Sequence, residues 1–122
     1  MNIQKLNEAI EILKTNLGES LLATCIAMSV DGQSIAGFNS NPKFAALIVK
    51  LVQVANDTAK KGGLPQLEKY ATFDLQEDRV LVLLPLGDYV WGILLDSQKT
   101  QMGLLLNIEI PSAIEAFAEA IG

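Results

Sequence analysis

The side chains that could do chemistry in this sequence are few. There is no histidine, so neither a Ser-His-Asp triad nor a Cys-His dyad can form, and no metal site can include imidazole. The one cysteine, Cys25, excludes thiolate clusters. It lies mid-strand among Ala23, Ile26 and Ala27, where the expectation is a small buried hydrophobe and not a reactive thiol. Glu77, Asp78 and Asp88 offer carboxylates for acid–base work, but turn formation accounts for Asp78 and Asp88. The only arginine, Arg79, could serve as an arginine finger, yet it starts a strand just after an acidic turn. Surface pairing with Glu77 or Asp78 is the reading adopted for it. The glycines at 62, 63, 87, 92 and 103 form neither a phosphate-binding loop nor a dinucleotide-binding turn. Trp91 and Phe117 sit in apolar segments and are assigned to the core. No catalytic residue, cofactor or metal is expected, and the chain is not expected to be an enzyme.

Composition points the same way. The 122 residues suffice for one domain, 1–122, with a real core. Half are apolar, but no run approaches the roughly 18 consecutive apolar residues of a membrane helix. Met1–Lys5 opens an amphipathic helix and lacks the layout of a signal peptide, so no leader is expected. A lone cysteine suits a reducing, cytoplasmic compartment. A net charge of −5, with no basic run beyond Lys60-Lys61, argues against nucleic acid as a partner. Lys60-Lys61 reads as a favourable helix C-terminus.

The elements that must position these residues alternate in type. Ile3, Leu6, Ile10, Leu13 and Leu17 recur at helical spacing, so residues 2–17 read as a helix ended by Gly18. Leu21 to Val30 reads as a strand, turned by Asp31-Gly32 in a type I′ hairpin with positive φ at both positions. Gln33 to Asn39 returns as a shorter strand. A helix from Pro42 to Lys61 follows, capped by Asn41 and closed by Gly62-Gly63. Three strands come next, Glu68–Leu75, Arg79–Leu84 and Tyr89–Leu95, joined by turns at 76–78 and 85–88. Thr100 to Ile121 is helical in character, with a break expected near Glu109–Pro111 because proline cannot sit unkinked within a helix.

Two features point outward from the fold. The Pro42–Lys61 helix is apolar over roughly 220° of its circumference, against the roughly 100° that lying on a core requires. Its expected inward stripe is Phe44, Leu47, Ile48, Leu51, Val52, Ala55 and Ala59, with Ala45, Val49 and Val54 outside it. Such a helix must be covered twice. The second feature is in the strands. Leu21–Val30, Arg79–Leu84 and Tyr89–Leu95 are near-continuously apolar, as strands covered on both faces are. Glu68–Leu75 instead alternates Ala71, Phe73 and Leu75 with Tyr70, Thr72 and Asp74, as an edge strand open to further pairing would.

The order of these elements carries a family resemblance. So do the hairpin Met28–Gln33, the block Arg79–Gly87, and the strand Trp91–Asp96 running into Met102–Leu105. Together they resemble the Roadblock family, which includes a class of dynein light chains and bacterial and archaeal partners of small GTPases. The resemblance covers almost the whole chain; Pro111 departs from the pattern. It implies an α+β, profilin-like sandwich in the order α-β-β-α-β-β-β-α. A five-stranded antiparallel sheet would carry the middle helix on one face and the terminal helices on the other. It further implies a homodimer with middle helices side by side and third strands paired, and a Ras-like GTPase as partner.

The functional expectation is a non-catalytic homodimeric module that regulates a Ras-like small GTPase, by activating or simply binding it. The alternative is a light-chain-like scaffold that docks a peptide or helix of a larger assembly. No small-molecule substrate and no membrane insertion are expected. The dimer seam is expected to use one flank of the middle helix, Ala45-Val49-Val52 or Leu47-Leu51-Val54, plus the edge strand around Tyr70, Thr72 and Asp74.

Overall fold

A computed structural model describes residues 1–122. Helix α1 spans Ile3–Leu17 and packs its buried Leu6, Ala9, Ile10 and Leu13 inward. Asn2 caps it, its side-chain oxygen accepting from the Lys5 amide at 3.1 Å. Strands β1 (Leu21–Met28) and β2 (Ser34–Phe38) follow, then helix α2 (Pro42–Lys61) and strands β3 (Ala71–Leu75), β4 (Arg79–Leu86) and β5 (Tyr89–Asp96). The chain ends in a short α3 (Met102–Leu104), a π turn (Leu105–Glu109) and α4 (Ile110–Ile121).

The five strands form one antiparallel sheet in the order β2-β1-β5-β4-β3. The three near-continuously apolar strands are thus the three central ones, and the alternating strand β3 is an edge. Side chains leave a strand alternately to its two faces, so each central strand feeds two cores. Ile26, Val82, Leu84, Trp91, Ile93 and Leu95 pack with α1 and α4. Cys25, Ala27, Leu81, Leu83 and Val90 pack with α2. The α+β sandwich implied by the Roadblock resemblance is therefore present, with the middle helix and the terminal helices on opposite faces.

The core aromatics are where the sequence put them. Trp91 is fully buried, and Phe117 meets Tyr89 edge-to-face at 5.4 Å. The Trp91 Nε1–H donates to Thr24 Oγ1 at 2.7 Å, and that hydroxyl donates to the Gly92 carbonyl at 2.8 Å. No buried side-chain nitrogen or oxygen lacks a partner. Burying Trp91 and Thr24 thus strands no polar atom.

Local geometry departs from expectation in four places. The β1–β2 hairpin is not a two-residue type I′ turn: β1 ends at Met28, and only Gly32 has positive φ, 74°. The Met28 amide donates to the Gln33 carbonyl at 2.9 Å, and the Asp31 carboxylate accepts from the Gln33 amide at 2.9 Å. That Asx-type bond holds the turn while Asp31 keeps negative φ. Strand β3 begins at Ala71 and not at Glu68, whereas β4 runs on to Leu86. The helix does not break at Pro111. It widens instead: the Ile110 amide donates to Leu105 five residues back, and Pro111, which has no amide to donate, falls in the first turn of α4. Arg79, finally, donates to the backbone carbonyl of Glu77 at 3.0 Å and makes no carboxylate pair.

Candidate interaction surface

Helix α2 has well-formed ends. The Asn41 side chain accepts from the Phe44 amide at 2.9 Å, Pro42 opens the first turn, and Lys60 and Lys61 sit in the last. Its twenty residues span about 30 Å. Lys43, Lys50, Gln53, Asp57, Lys60 and Lys61 are all exposed.

The inward stripe is rotated from the expected one. Ala45 (0 % exposed), Ile48, Val49 (5 %) and Val52 (7 %) rest on the sheet. Leu47 (49 %) and Val54 (46 %) point to solvent, with Leu51 half-buried between them. Of the two candidate flanks, Ala45-Val49-Val52 is core and Leu47-Leu51-Val54 is open. Gly92 lies beneath Ile48, the residue common to both stripes: a Cβ there would lie 2.6 Å from Ile48 Cγ2. The helix therefore settles with Ile48 in the gap left by the missing side chain.

The open stripe lies about two-fifths of a turn round from the buried one. On the β1–β2 side of α2, Ala46, Lys50 and Gln53 line a depression with the hairpin tip. On the other side Phe44 and Leu51 of α2, and Ala71 and Phe73 of β3, are partly buried against the same core cluster. On that same face of the sheet lies the edge strand β3, whose free side bonds to nothing.

Register decides which β3 residues join this surface. Phe73 pairs with Leu81 and Ala71 with Leu83, both on the α2 face. Thr72 pairs with Val82 and Asp74 with Val80, both on the terminal-helix face. Ala71, Phe73 and the exposed Leu75 thus share the α2 side of the sheet with Leu47, Leu51 and Val54, while Thr72 and Asp74 point the other way. Tyr70, exposed, precedes the strand and lines an open groove of about 590 Å³ with Lys69, Leu106, Ile110 and Pro111. Exposed Leu104 and Ile108, on the same terminal segment as Leu106 and Ile110, were missed by the sequence reading. The helical spacing there marked apolar residues without saying which would remain outside.

Asp78 accepts from Gln98 Nε2 at 2.9 Å and, with Glu77, holds positive φ in the β3–β4 turn. No three His, Cys, Asp or Glu residues gather as metal ligands, and no helix is long and apolar enough to cross a membrane.

Cys25 is buried beneath α2, and burial pushes its thiol pKa above the ordinary 9.0, an effect partly offset by hydrogen bonds to Ser34 and Ser40. A raised acid pKa favours the folded state below the unfolded pKa and loses that contribution as pH rises towards the folded one. Stability should therefore decline through the alkaline thiol range, less so for Cys25→Ala. At pH 8, a thiol reagent should label the native chain at least about tenfold more slowly than the urea-unfolded chain. Equal rates would place Cys25 at the surface.

Comparison with known proteins adds the architecture's name. No protein-family model and no curated protein matches the chain by sequence. Solved structures do match. Myxococcus xanthus MglB superposes with a TM-score of 0.83 at 17% identity, covering 98% of this chain and 89% of that one. A Roadblock/LC7 domain from Streptomyces avermitilis gives 0.78 at 11% identity, covering 94% and 96%. Acanthamoeba castellanii profilin II gives 0.59 at 13% identity, covering 93% and 97%. Identities this low speak for fold: the chain has the fold that Roadblock domains share with profilins.

Proposed function

We propose that residues 1–122 act as one Roadblock-like domain, a non-catalytic cytoplasmic homodimer that binds and regulates a Ras-like small GTPase. The observation that carries self-association is the open stripe Leu47-Leu51-Val54, on the same side of the sheet as Phe73 and Leu75 of an unpaired strand edge. A two-fold axis beside α2 would cover the stripe with its own copy and extend the sheet across the seam. Fully burying a Leu or Val side chain contributes about 1.5–3 kcal/mol, so completing the burial of half-exposed ones contributes about half that each. Doubled by symmetry and joined by strand pairing, this is comparable with the loss of translational and rotational freedom.

The Roadblock resemblance supplies the partner class, and the absence of a phosphate-binding loop assigns the nucleotide to that partner. The test uses Ras-like GTPases encoded in the same genome, each loaded with a GTP analogue or with GDP. Sedimentation should show a complex with the GTP-analogue form and at least about tenfold weaker association with the GDP form. Equal capture of both forms, or of neither, would contradict regulation of a GTPase cycle.

A further inference from the structure

We infer that one register of β3 against its own copy is selected, with Phe73 on the two-fold axis and Lys69 of each chain beside the acidic β3–β4 turn of the other. The inference rests on the self-associated reading above. An axis perpendicular to the sheet sets one residue of the strand opposite itself, so the choices are discrete.

Placing Phe73 on the axis is the one choice that pairs all five residues of Ala71–Leu75 with residues of the other β3. Ala71 then faces the partner's Leu75, and Phe73 faces the partner's Phe73. Both contacts lie on the α2 face of the sheet. On the opposite face Thr72 meets the partner's Asp74, a hydroxyl donor against a carboxylate. Beyond the strand ends, Lys69 faces the partner's Glu77, an opposite-charge pair formed twice by symmetry.

The neighbouring registers are worse on specific grounds. An axis at Asp74 sets that carboxylate against the partner's Asp74. An axis at Ala71 sets Glu68 against the partner's Asp74, and like charges directly opposite are destabilising. An axis at Thr72 spends Asp74 and Leu75 on the partner's Tyr70 and the partner's Lys69, which lie outside the strand. Exposed apolar surface alone would permit sliding; the charges at 68, 69, 74 and 77 remove the alternatives.

The test is cysteine cross-linking on a Cys25→Ala background, oxidised by copper–phenanthroline, which takes two electrons from each thiol pair while the two protons go to buffer. Phe73→Cys should cross-link to its copy. Thr72→Cys and Asp74→Cys alone should do so at least about tenfold more slowly, because their own copies sit on the diagonal about 7–8 Å away. Thr72→Cys mixed with Asp74→Cys should cross-link. Because Phe73 also packs in the core, charge reversal gives a second measure. Lys69→Glu and Glu77→Lys should each raise the dimer dissociation constant about tenfold, and the double variant should return it to within about threefold of the parent. A dimer in which Thr72→Cys or Asp74→Cys outpaces Phe73→Cys, or in which the double reversal fails to restore affinity, would overturn the register. A parent chain that sediments as a monomer would overturn the self-association beneath it.

Discussion

Leu47→Glu is expected to give a folded monomer at concentrations where the parent chain is a dimer. In the isolated chain Leu47 is 49 % exposed, so a glutamate there reaches water and leaves folding stability within about 0.5 kcal/mol. Across a two-fold seam the same position meets its symmetry copy, so the substitution buries two like charges and removes two apolar contacts. Together these should raise the dissociation constant at least about a hundredfold. Val49→Glu, two residues on and on the opposite face of the same helix, should behave oppositely. Val49 is 5 % exposed and packed on the sheet, so a carboxylate there is buried without a partner. The expected loss is about 3–5 kcal/mol, enough to unfold a marginal domain. Sedimentation and circular dichroism together separate the two outcomes. A Leu47→Glu chain that remains dimeric would misplace the seam, and a folded Val49→Glu chain would misplace the core.

Gly92→Ala is expected to destabilise the domain by about 1–3 kcal/mol in urea unfolding, through overpacking under α2. The added Cβ would lie 2.6 Å from Ile48 Cγ2 and 2.9 Å from Ile48 Cδ1, and Gly92 sits in β5, the middle strand of the sheet. Neither wall retreats easily. The diagnostic result is non-additive: Ile48→Ala alone should lose about 2–5 kcal/mol as a cavity, but adding Gly92→Ala to it should cost far less than in the parent, because the two clashing atoms are gone and only the residue-48 Cβ, at 3.2 Å, remains close. If Gly92→Ala were equally damaging in both backgrounds, Ile48 would not be what it meets. Because α2 carries the open stripe, lifting the helix should also weaken self-association in the single variant.

Much of this fold was legible in the residues. Unbroken apolarity in Leu21–Met28, Arg79–Leu84 and Tyr89–Leu95 marks strands roofed on both sides, and these three are the centre of the sheet. The alternation at Ala71, Phe73 and Leu75 marks an edge, and the signals at Asn41-Pro42 and Gly62 place both ends of α2. What the chain did not disclose was the rotation of α2. An arc of apolar residues over half a helix contains several possible buried stripes, and periodicity ranks them equally. The contacts that settle it come from distant strands: Ile48 sits over Gly92, forty-four positions away, while Leu47 and Val54 face outward. The faces of β3 followed the same logic: period two divides Thr72 and Asp74 from Ala71 and Phe73, but only pairing with β4 says which set shares the side of α2. Pro111 misled because a proline forbids one hydrogen bond without forbidding a helical path, and the π turn before it accommodates the loss.

The most direct test of self-association is the mass of the unmodified chain in solution, measured by light scattering over a dilution series down to micromolar concentration. The Leu47-Leu51-Val54 stripe and the free edge of β3 predict twice the chain mass throughout that range, with dissociation confined to greater dilution. A mass of one chain at every concentration would contradict the account, leaving the open stripe of α2 without the partner assigned to it.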